Sequence, residues 1–150
     1  MKTTIKRLSC ILLLAILLAA CAPVKMPSSD PSAIIIENPY APQSADGTLQ
    51  RDTVEMVKTE MVTLKSNPLQ VGLKLSFFTP TPCHQFRITV AQPGAGKRID
   101  LEVYSLMKKD QACALMRLST PTEASVNLAG LPAGHYTVWV NGEKALEFDA

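Results

Sequence analysis

Four cysteines are the residues whose chemistry can be named first: Cys10, Cys21, Cys83 and Cys113. A thiol can close a disulfide, ligate a metal as thiolate, or be alkylated to a thioether. Cys83 and Cys113 are separated by 29 residues. A bridge between them closes a loop worth roughly 3.5 kcal/mol in the chain-entropy treatment, a useful amount for a small domain in an oxidising compartment. The competing chemistry is a metal centre in which Cys83, His84, Cys113 and His135 supply thiolate and imidazole. Cys83 and His84 are adjacent, so an extended backbone points them to opposite sides, and no paired metal-ligand spacing occurs. No metal and no cofactor are therefore expected. Other catalytic signatures are also missing, among them G-x-S-x-G, H-E-x-x-H and a complete phosphate loop. Pro93-Gly94-Ala95-Gly96-Lys97 lacks the first glycine and the Ser/Thr that a phosphate loop requires, and reads as a hairpin loop. The chain is not expected to be an enzyme.

The first 21 residues read in three parts. Residues 1–7 are short and basic, residues 8–20 are apolar, and Leu18-Ala19-Ala20-Cys21 follows. The apolar run is shorter than the ~20 residues that span a bilayer, and it has the length of a signal-peptide core. Leu18-Ala19-Ala20-Cys21 resembles the lipobox of bacterial lipoproteins. Small residues at 19 and 20 let an extended chain enter a narrow protease site, and the Cys21 thiol accepts a diacylglycerol. The resemblance implies removal of residues 1–20, lipidation of Cys21 and stable anchoring by two or three acyl chains. Cys10 would leave with the signal segment. Ala22 after the anchor, by the same resemblance, favours the outer membrane of a two-membrane cell. In a single-membrane cell the same signal gives the outer face of the plasma membrane. The expected location is extracytoplasmic, with the membrane as partner through Cys21.

The formal charge of +2 is misleading for such a mature chain. Without Lys2, Lys6 and Arg7, the 15 basic groups fall to 12 against 13 acidic ones, a net charge of about −1. Basic residues are scattered, and no nucleic-acid footprint is present.

The elements that would carry these residues read as strands. Residues 21–52 are assigned to the lipidated N-terminus and a tether rich in Pro and Ser, with at most one short strand over 33–36. A domain is expected over 53–150. Leu69, Val71, Leu73, Leu75 and Phe77 alternate with polar residues, the period-two pattern of a half-buried strand. Phe86, Ile88 and Val90 continue it, and Ile99, Leu101 and Val103 return as a hairpin. Ala124, Val126 and Leu128 form another strand, and residues 112–118 a weaker one. A bulge or bend is expected near Thr59. Asn141-Gly142 between two alternating runs predicts a type I′ hairpin turn. About seven strands and no lasting helical period predict an all-β, Ig-like antiparallel β-sandwich.

Leu131-Pro132-Ala133-Gly134-His135-Tyr136 is similar to a tyrosine corner, in which the Tyr136 hydroxyl bonds back to the preceding backbone. Trp139 falls on the opposite face from Tyr136 and is the candidate contact residue. From about Leu69 to Phe148, the order Pro82-Cys83, hairpin, Cys113, Pro121-x-Glu123 and Gly130 to Gly142 resembles a group of uncharacterised bacterial lipoproteins with a small Ig-like β-sandwich. That resemblance implies fold, disulfide and location and carries no activity. The expected function is a non-catalytic binding or structural module in the cell envelope, monomeric, with an envelope protein or a glycan as candidate partner. The alternatives are a protease inhibitor presenting loop 78–83 and, more remotely, a small metal-binding domain.

Overall fold

The computed structural model describes residues 34–150 except 65, 67–69 and 117. The chain divides into a unit of residues 1–31 and a compact unit Ser32–Ala150. The expected signal segment 1–20, Cys21 and most of the tether lie outside the described residues.

Nine strands are described: β1 (Ile35–Glu37), β2 (Gln50–Asp52), β3 (Glu55–Leu64), β4 (Gln70–Phe78), β5 (Gln85–Val90), β6 (Arg98–Met107), β7 (Thr122–Ala129), β8 (His135–Val140) and β9 (Glu143–Asp149). They form two sheets. The first has the order β1-β7-β4-β3, with every pairing antiparallel. The second is built on β6, which pairs with β2, β5 and β8, and β9 lies beyond β8.

The alternating apolar residues face inward, as period two requires. Val71, Leu73, Leu75 and Phe77 on β4 and Ala124, Val126 and Leu128 on β7 are buried. Opposite them lie Ile88, Ile99, Leu101, Val103, Tyr136, Val138, Val140 and Phe148. Phe77 meets Phe86 edge-on at 5.0 Å between ring centroids, and Phe86 packs on Tyr40 at 4.8 Å.

Three expectations change. The sandwich does not begin at 53, because β1 and β2 belong to the two sheets and Ile36 and Tyr40 pack against the core. The described residues 112–116 and 118 form no strand. The bulge expected near Thr59 is present in β3, between Met56 and Lys58. The sandwich is not wholly antiparallel, since Arg98–Leu101 of β6 runs parallel to Thr137–Val140 of β8. Asp46-Gly47 turns inside a 3-10 segment, Ser44–Thr48.

That parallel pair creates a gap. β8 reaches only as far as Leu101 on β6, and β2 takes up β6 again at Ser105. Asn141 closes the space between. Its N–H donates to Leu101 C=O at 2.9 Å. Its side-chain Oδ1 accepts from Val103 N–H at 2.7 Å, and its Nδ2 donates to Val103 C=O at 3.1 Å. A side-chain amide thus does what a strand residue would do, which matters because an unpaired buried backbone group is costly. Asn141 has φ 51° and Gly142 φ 86°, the left-handed pair that a type I′ turn needs.

Candidate functional site

Three places gather polar or reactive side chains, and each is fixed by strand ends. The first is the end of the sandwich where β4 and β6 finish. Cys83, just before β5, is bonded to Cys113, in the loop before β7, with S–S 2.03 Å and Cα atoms 6.1 Å apart. The staple therefore joins a loop entering the second sheet to one entering the first. Thr81 Oγ1 lies 3.2 Å from Cys113 Sγ and 2.8 Å from His84 Nδ1. The His84 side chain is only 3% exposed, and its Nε2 lies 3.9 Å from Asp52 Oδ2 without a hydrogen-bond partner. Thr79 and Thr81 are buried, and Thr79 Oγ1 donates to Thr81 C=O at 3.1 Å. Pro80 and Pro82 are exposed between them. The two threonines of segment 78–83 are thus buried and the two prolines face solvent.

The second place is the outer face of the second sheet. A groove of about 900 Å³ is bounded by Arg51, Thr89, Asp100, Glu102, Tyr104 and Asn141 among others. Its charges are mutually satisfied. Arg51 pairs with Glu102, and its guanidinium carbon lies 3.6 Å from the centre of the Tyr104 ring. Arg98 pairs with Asp100 at 2.6 Å and lies 4.1 Å over the Trp139 ring. Trp139 is half-buried and directed outward, as its alternation with Tyr136 and Val138 predicts, but one face carries Arg98. The groove contains no histidine or cysteine among its lining residues. Among its described lining residues, no nucleophile is hydrogen-bonded to a base.

The third place is the turn before β8. Tyr136 is 1% exposed, and its hydroxyl donates to Pro132 C=O at 2.8 Å. Burial pushes the Tyr136 phenol above its usual pKa. Lys97, with φ 52°, reaches across so that its Nζ donates to Ala133 C=O, 5.5 Å from the Tyr136 ring. The glycine-rich stretch 93–97 is therefore a loop that clamps the tyrosine corner. His135 is exposed and pairs with Asp149 at 3.0 Å. It opens β8, at the end of the sandwich away from Cys83. The structure does not bring the four candidate metal ligands together. Among the described residues no group of three or more metal-ligating side chains is found.

Sequence reasoning missed two pairs of residues. Arg87 and Asp46 form a two-pronged ion pair at 2.8 and 2.9 Å, each side chain 11% exposed. The Arg87 hydrogen bonds hold the Asp46 carboxyl below the usual carboxylate range, helped by the Gln43 N–H. The two stand 41 positions apart, which left no local pattern to read. The other pair is Leu115 and Met116, which lie outside any strand and stand 97% and 62% exposed.

The two packed sheets make this chain a β-sandwich protein. Residues 73–150, just over half of it, match the family described as the ORF11 beta-sandwich domain, and the chain belongs to that family. No curated protein and no solved structure matches the chain.

Proposed function

We propose that this chain is an extracytoplasmic lipoprotein whose β-sandwich is held at a membrane surface as a non-catalytic binding or structural module. The observation that carries the reading is Leu18-Ala19-Ala20-Cys21, placed after an apolar run and ten residues before the compact unit that starts at Ser32. Two further features support it. The bonded pair Cys83 and Cys113 suits an oxidising compartment. The reactive-looking side chains are tied to structural partners, as Arg51, Arg98 and Lys97 illustrate. Trp139 and the groove beside it are the contact face offered to an envelope protein or a glycan. The alternative is a protease inhibitor presenting loop 78–83, in which Thr79 and Thr81 are buried while Pro80 and Pro82 are exposed.

Cell fractionation tests the proposal. The native chain is expected in the membrane fraction and to take up a radiolabelled fatty acid, and the Cys21→Ser chain is expected to take up none. A native chain without the label, or a Cys21→Ser chain labelled as fully as the native one, would overturn the reading.

A further inference from the structure

The loop between β6 and β7 carries the apolar side chains that neither sheet absorbs. Leu115 is 97% exposed and Met116 62%. An unconstrained loop would relax by laying such a pair against the nearest apolar surface, since burial of each side chain is favourable. Cys113 stands two residues before Leu115 and is bonded to Cys83, so the loop is held in place. The same loop begins with Lys108 and Lys109, both exposed and, among the described residues, in no ion pair. A tight turn follows, with Gln111 N–H donating to Lys108 C=O at 3.3 Å.

Two apolar side chains on a fixed loop with two free ammonium groups are complementary to an anionic lipid surface: hydrocarbon below, phosphate above. We infer that residues 108–116 touch the bilayer, with Leu115 and Met116 entering it and Lys108 and Lys109 meeting anionic headgroups. The inference rests on the lipoprotein reading, because an acyl anchor on Cys21 raises the effective concentration of the loop at the surface and lets a weak contact count. Geometry permits both contacts. The chain enters the first sheet at Ile35, opposite Ala129, while the loop leads into the other end of β7 at Thr122. Eight strand residues separate those ends by about 27 Å. The 12 residues between Cys21 and Ile34 can reach up to about 40 Å. The sandwich would then lie with its stapled end toward the membrane.

The test uses the mature chain from Ala22 onward, so that neither an acyl group nor the apolar run 8–20 contributes, with Trp139→Phe to remove the native indole. Leu115→Trp is placed at the loop and, separately, Ile35→Trp at the opposite end; both sites are exposed, so folding is not at risk. The probes are vesicles of phosphatidylethanolamine and phosphatidylglycerol with brominated acyl chains. Expected are blue-shifted emission and about twofold quenching at 115, no quenching at 35, and roughly tenfold weaker binding after Lys108→Glu with Lys109→Glu. Absence of quenching at 115, equal quenching at both sites, or binding indifferent to the lysines overturns the inference. A native chain that carries no lipid on Cys21 yet shows quenching at 115 would end the anchor reading and leave the loop contact standing.

Discussion

The two sheets are held together by different means. The first is antiparallel throughout, and β4 is covered on both edges along nearly its whole length by β3 and β7. Its backbone needs no outside help, and its strength lies in the large side chains it buries. The second sheet has a central strand whose neighbours change along its length, one of them parallel. Where β8 stops and β2 has not yet begun, the amide of Asn141 must complete the ladder. A regular sheet should therefore be broken by removing volume, and an irregular one by removing a single polar group.

The largest expected effect is in the first sheet. Phe77→Ala should destabilise the domain by about 3–5 kcal/mol, since Phe77 is fully buried against Phe86. Urea denaturation would measure it, and a loss below about 1 kcal/mol would show that the core is not packed as described. Next is the staple between the sheets: Cys83→Ser with Cys113→Ser should cost about 3 kcal/mol, read as a lowered melting midpoint. In the second sheet, Asn141→Gly keeps the left-handed turn and removes only the amide. A loss of about 1–2 kcal/mol is expected, with faster amide exchange at Val103. If that exchange rate were unchanged, the bridging role of Asn141 would be wrong. Tyr136→Phe, which removes one hydrogen bond from the corner, should cost about 1 kcal/mol in the same denaturation assay.

The smallest effect separates Asp46 and Arg87 from the rest. The folded state holds the Asp46 carboxyl below its ordinary value, so the unfolded chain takes up the proton first as acid is added. The contribution is complete above about pH 4 and is lost as pH falls through the lowered folded value. The difference in urea midpoint between the native chain and Asp46→Asn should therefore shrink between about pH 6 and about pH 3. A difference that grows with acid would contradict the assignment.

Much of this was legible because strand burial has a local signature. Leu73, Leu75 and Phe77, or Tyr136, Val138 and Val140, announce their face within a few residues, and the same period placed Trp139 outward. Asn141-Gly142 announced the turn by its backbone requirement alone. Asn141 as a bridging amide was not legible, because its partner Val103 is 38 residues away and belongs to a pairing that no turn specifies. The same holds for Arg87 with Asp46 and for the parallel pairing of β6 with β8. Residues 37–52 read as tether, and only a short strand over 33–36 hinted at β1, because β1 and β2 are three residues each, too short for a period to emerge. Residues 112–118 misled for the opposite reason: a short apolar run suggested a strand, but residues 112–116 lie in no strand, with Cys113 bonded to Cys83 and Leu115 exposed.

The most direct test of the central claim is the mass of the N-terminal tryptic peptide from the membrane-purified protein. The account predicts a peptide that starts at Cys21, ends at Lys25 and carries a diacylglyceryl thioether on the cysteine. A chain that retains residues 1–20, or one that begins at Cys21 with an unmodified thiol, would contradict it.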